Sequence, residues 1–170
     1  LSEKQMGSLL EAARDSGWRH ALERNLRPEV DEYTYAYATD ERRADWFPLC
    51  DVPEEPVILD IGAGWGAVSI ALARRGARVI AADSNIETLE FIALKAEQEG
   101  LGDRVVAVRI DPLETVQLPV EDGSIDLVIM NGVLEWVGPA TQGASPTTLQ
   151  RRVLTGVHRA LAKGGQLYVG

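Results

Sequence analysis

A chain of 170 residues can build one domain with a true core, and is too short for two. Its 45% hydrophobic and 25% charged residues exclude a disordered tail or a fibre, and 26 acidic against 17 basic residues give a formal net charge of -9, a field that repels a phosphate backbone. A single cysteine, Cys50, excludes an internal disulfide, and no apolar run approaches the roughly 20 residues that span a bilayer, so a cytoplasmic protein with no membrane or nucleic-acid partner is expected.

In chain order, Met6, Leu9, Leu10, Ala13, Trp18, Ala21 and Leu22 recur at helical spacing and predict an amphipathic N-terminal helix over 2–25, broken near Gly17. The aromatic-rich stretch up to the proline-bounded acidic segment at 51–56 reads as a loop with a short helix. Within it, Tyr33, Tyr35 and Tyr37 alternate, which fits an edge strand or an extended lid segment. The domain organisation is therefore 1–55 as helix, lid and linker, and 56–170 as the core.

From Pro56 short apolar runs alternate with amphipathic helices: VILDI, VSIALARRG, ARVIAAD, IETLEFIALKAEQEG, DRVVAVRID. That alternation predicts an α/β fold, a Rossmann-like doubly wound, mostly parallel sheet. SIDLVIMN is the fourth strand. A loop with Pro139, Gly143 and Pro146 leads to the helix TTLQRRVLTGVHRALAK, the stop signal Gly164-Gly165 and a fifth strand, QLYVG. The chain opens at Leu1 without a Met and ends directly after that apolar run, which predicts a piece of a longer protein.

Chemistry concentrates in DIGAGWGA, Asp60 to Ala67, between the first strand and its helix. Gly62, Gly64 and Gly66 let backbone turn tightly and approach a ligand, with Ala63 inside the turn, and the following helix aims its positive end at the crevice. GAGWGA also satisfies the dinucleotide pattern GxGxxG/A, and Asp83 at the end of the second strand suits a ribose in either case. An NAD(P)-binding oxidoreductase and a non-catalytic binding module therefore stay open at this point. Metal binding gains no support, because two histidines and one cysteine offer no ligand spacing.

From Pro56 to Gly170 the chain resembles the class I S-adenosylmethionine-dependent methyltransferases. VILDIGAGWG is similar to that family's first motif, ARVIAADSN to its second, VVAVRIDPLETVQLPVEDGSIDLVIMNGVLEWV to its third and fourth, and RRVLTGVHRALAKGGQLYV to its last helix and fifth strand. The resemblance implies S-adenosylmethionine as cofactor. It implies that Asp60 orders the glycine loop and reaches the methionine ammonium, that the backbone at Gly62 and Gly64 lies against the methionine part with Ala63 between them in the cofactor site, that Gly66 opens the helix, and that Asp83 accepts from both ribose hydroxyls. Ser84 lies beside adenine, Asp111 accepts from its amino group, and Asn131 stands near the ammonium and the methyl. Tyr37 or Tyr33 stacks over the cofactor or donates to it. Two departures stand out: Pro112, next to the adenine carboxylate, lacks the N–H that relatives commonly donate, and the sheet stops at its fifth strand where relatives usually add two more.

Methyl transfer is an in-line displacement that depends mainly on orientation. A general base is optional, and Glu135 after the fourth strand is the candidate. The expected reaction is methylation of a small metabolite or sugar-linked acceptor, with an open fifth-strand edge that favours a homodimer. His158 is expected to be a surface or structural residue, and nothing specifies a role for His20.

Overall fold

In a computed structural model the described residues are 1–110, 118–137 and 145–170. Five parallel strands, β1 (Val57–Ile61), β2 (Arg78–Asp83), β3 (Val105–Arg109), β4 (Ile125–Met130) and β5 (Leu161–Val169), lie in the order β3-β2-β1-β4-β5. This is the Rossmann-like doubly wound sheet anticipated, with β3 and β5 at its edges. The order reverses between β1 and β4, and in open parallel sheets a ligand crevice forms there, at the carboxyl ends of the strands.

Successive side chains of a strand point to opposite faces, and β1 uses both. Ile58 packs with helices α4 (Ala67–Arg74) and α5 (Ile86–Gln98) on one face, while Leu59 and Ile61 pack with α6 (Pro146–Ala160) on the other. The first two crossovers run one way from β1 and the last runs the other, so right-handed connections put α6 opposite α4 and α5.

The N-terminal residues form α1 (Glu3–Ser16), α2 (Trp18–Ala21) and a π-helical turn, Leu22–Leu26. Ser2 caps α1 in a reciprocal box with Gln5, and Gly17 breaks the run at φ 89°, as the sequence predicts. These helices lie outside α5, which is apolar on two sides: Leu89, Ile92 and Ala96 face the sheet, and Phe91 joins Leu9, Trp18 and Leu22 in a separate cluster. No helix among the described residues is long and apolar enough to cross a membrane.

Three expectations change. Tyr33, Tyr35 and Tyr37 lie on a helix, α3 (Glu32–Thr39), because Asp31 accepts from the Thr34 N–H at 2.9 Å and starts one. At helical pitch residues two apart diverge, so Tyr33 is 80% exposed, Tyr35 donates to Glu23 at 2.7 Å, and Tyr37 turns to the sheet. Pro146 opens α6 as its first residue behind the Ser145 cap, and is not part of the loop. Gly164 and Gly165 do not separate helix from strand: α6 ends at Ala160, β5 begins at Leu161, and the pair lies within a register shift opposite Ile125–Leu127. A Cβ on Gly165 would stand 2.9 Å from the Ile125 carbonyl oxygen, so only glycine fits that bulge.

Candidate cofactor site

The glycine loop folds over the end of β2. The Gly62 and Ala63 N–H groups both donate to the Ala82 carbonyl, at 2.8 and 3.2 Å, and the Gly64 N–H donates to Asp83 Oδ2 at 2.8 Å. Gly62, Gly64 and Gly66 have φ of 73°, 53° and 72°, in the left-handed region, where the backbone makes the tight turn. Close approach matters as well, since a Cβ on Gly62 would meet Val133 Cγ2 at 2.3 Å and one on Gly66 would meet Ile92 Cγ1 at 2.7 Å.

Asp83 is half-buried, and its other oxygen accepts from the Asn85 N–H at 2.9 Å. Each oxygen of an ionised carboxylate accepts more than one hydrogen bond, so both keep capacity for a ligand. Ser84 beside it is exposed. Asp60 is 3% exposed and accepts from the Ser69 hydroxyl of α4 at 2.6 Å. Burial pushes its carboxyl up to about 6, against the pull of the Ser69 hydrogen bond and the positive charge of Arg43.

Above the loop stands α3. Tyr37 Oη donates to the Asn131 carbonyl at 3.5 Å, a long bond, and its ring edge lies 3.9 Å from where a Gly64 Cβ would be. Next comes a 3-10 turn, Glu41–Ala44, whose Arg43 lies over the Tyr37 ring, 3.6 Å from its centre, and donates to the Tyr37 carbonyl at 3.1 Å. Tyr37, Arg43, Asp60, Gly62 and Asn131 line one small cavity. Arg43 is not among the residues the sequence singles out: its neighbour Arg42 bonds Asp40 in solvent, but Arg43 turns inward.

Glu135, in a 3-10 turn at Leu134–Trp136, is exposed, and its Oε1 lies 3.8 Å from a Cβ placed on Gly132, where Tyr37 Oη is also close at 3.6 Å. The structure thus brings Asp60, the glycine loop, Asp83, Asn131, Tyr37 and Glu135 to one end of the sheet. Asp111 and Pro112 lie outside the described residues. His20 on α2 and His158 on α6 are both exposed.

Both comparisons with sequences and with solved structures point one way. A family model described as a methyltransferase domain matches residues 59–169. The tRNA 5-carboxymethoxyuridine methyltransferase of Escherichia coli K12 is 30% identical over 118 residues, which cover 68% of this chain and 40% of that protein. The release factor glutamine methyltransferase of Mycobacterium leprae is 39% identical over 88 residues, 51% of this chain and 29% of that protein. A solved structure from Methanococcus maripaludis, assigned as an S-adenosyl-L-methionine-dependent methyltransferase, superposes with a TM-score of 0.65 at 21% identity, covering 98% of this chain and 62% of that one. The chain therefore spans well under half of these two curated relatives. By the match over most of its core and by its fold, the chain belongs to the methyltransferase-domain family, whose class I members take S-adenosylmethionine as methyl donor.

Proposed function

We propose that this chain binds S-adenosylmethionine at the head of β1, β2 and β4 and transfers its methyl group to a small-molecule or sugar-linked acceptor. The observation that carries the reading is the Asp83 carboxylate, tied by one oxygen to the glycine loop and by the other to Asn85, with lone pairs left for two vicinal hydroxyls. The cofactor, when bound, supplies an electrophilic methyl on a sulfonium.

The chain's own residues divide the remaining work. Because the loop's N–H groups at Gly62, Ala63 and Gly64 answer β2, a ligand over the turn meets Cα and carbonyl groups, which suit an ammonium. Gly66 supplies the left-handed start of α4. Asp60 adds a buried negative charge for that ammonium, and Arg43 offers a guanidinium to the carboxylate of the same amino-acid end. Tyr37 closes over this end. Ser84, with Asp111 and Pro112, serves the adenine end, and Asn131 lies at the methyl. Glu135, exposed beside Gly132, takes the proton released by an oxygen or nitrogen acceptor.

The net charge of -9 favours a small acceptor over nucleic acid. The relatives' names supply the competing classes, a tRNA and a protein glutamine. Methyl transfer from labelled cofactor to a metabolite panel, to bulk tRNA and to ribosomal release factors separates the three. Labelling of metabolites alone is expected; salt-sensitive labelling of tRNA would replace the small-molecule reading.

A further inference from the structure

Arg74 ends α4 and Arg75 caps it, and both side chains reach the 3-10 turn Glu41–Ala44. Arg75 donates through one nitrogen to the Ala44 carbonyl at 2.5 Å and through the other to Asp45 Oδ1 at 2.8 Å. Arg74 pairs with Glu41 Oε2 and, at 2.8 Å, with Glu99 just past α5, while Arg19 of α2 stands 3.9 Å from the other Glu41 oxygen. The turn is thus held at its first residue and at its last. Exposed ion pairs add little to stability, but a guanidinium with donors fixed in a fork sets geometry well.

Between the two holds lies Arg43. Its side chain leaves the turn to lie over the Tyr37 ring and donate to the Tyr37 carbonyl, and it lines one cavity with Asp60 and Gly62. The same helix α4 starts at Gly66 of the glycine loop, and Ser69 in its first turn donates to Asp60. One helix therefore builds the floor of that cavity with its start and clasps, with its end, the turn that supplies the cover. We infer that Arg75, together with Arg74, is a positioning residue for the cofactor: the pair holds the turn against α4 and so sets where Arg43 stands above Asp60 and the glycine loop. The inference rests on the reading that Arg43 meets the amino-acid end of the cofactor.

Arg75→Met keeps the stem and removes both donors. Ala44 stays buried and Arg74 keeps Glu41, so the variant should fold. Calorimetric titration should show the Kd for S-adenosylhomocysteine raised about threefold, within the range for coupling through a packed network, and the Kd for adenosine unchanged. A cycle with Arg43→Gln separates positioning from a general loosening: if Arg75 acts through Arg43, the double variant R43Q/R75M binds no more weakly than R43Q alone. Glu41→Ala releases the other hold, leaves Arg74 paired with Glu99, and serves the same cycle if R75M does not fold. Parental affinity in R75M and E41A beside a weakened R43Q overturns the positioning role alone. Losses that multiply in the double variant, or equal weakening toward adenosine, overturn it too. Parental affinity in R43Q overturns both the role and the reading beneath it.

Discussion

Asp83 and Gly64 are joined through the loop amide, 2.8 Å from carboxylate oxygen to nitrogen, so the residue read as a ribose acceptor also fixes the turn it serves. Asp83→Ala should then do two things. It should weaken S-adenosylhomocysteine binding by at least the 1.5–3 kcal/mol expected for hydrogen bonds to a charged group, and cost about 1 kcal/mol of stability as the loop amides lose their acceptor. Calorimetric titration and urea unfolding measure these separately. A variant with parental stability and parental affinity would remove Asp83 from both roles.

Asp60 gives the site a pH dependence. Its folded pKa of about 6 lies above the unfolded value of 3.8, so the stability it contributes is full below about pH 4 and is lost as the pH rises through 6. The loss amounts to at most about 3 kcal/mol at pH 7.5. Urea unfolding at pH 4.5 and 7.5 should show the parent losing stability relative to Asp60→Asn across that window. Cofactor affinity should move the opposite way in the parent, tightening from pH 5 to 7 as the carboxylate ionises beside the ammonium. A flat difference between parent and D60N would place the titration elsewhere.

Arg43→Gln should raise the Kd for S-adenosylhomocysteine by roughly tenfold, within the range for a charge-assisted pair, while leaving the Kd for adenosine unchanged. The contrast between the two ligands localises the contact to the amino-acid end. Equal weakening of both would mean that Arg43 acts by holding Tyr37 and not by touching the ligand.

Glu135→Gln should lower the rate of methyl transfer about a hundredfold or more without altering S-adenosylhomocysteine affinity, as expected when a general base is removed. Single-turnover assays on an oxygen or nitrogen acceptor test this. Parental rates at every pH would leave the acceptor to lose its proton to water.

Gly165→Ala should cost about 1–3 kcal/mol, the usual range for forced overpacking, because the Ile125 and Ala162 carbonyl oxygens stand 2.9 and 3.0 Å from the new methyl. Thermal unfolding reads this directly. An unchanged melting temperature would mean that the bulge relaxes freely.

The sheet was legible because its strands are short, largely apolar runs, a pattern set by burial on both faces. The glycine loop was legible because positive φ admits few other residues. The arm was not. Alternation of Tyr33, Tyr35 and Tyr37 imitates a strand, and the deciding signal was Asp31 capping Thr34. Arg43 and Lys95 carry no local signature, since a charged side chain turns inward only when the fold sets an acceptor or a ring there to receive it, here Tyr37 for Arg43 and Trp18 for Lys95.

Helix α5 presents Ile92 to the sheet and Phe91 to the N-terminal helices, both fully buried. A helix shared between two layers makes their unfolding a single event. Peeling away α1 and α2 would bare Phe91 and bring water to Lys95, and the loosened α5 would then give up its grip on β2 and β3. Amide exchange should accordingly find the N-terminal helices protected to nearly the same degree as the central strands, and a chain begun at Pro56 should be prone to aggregate.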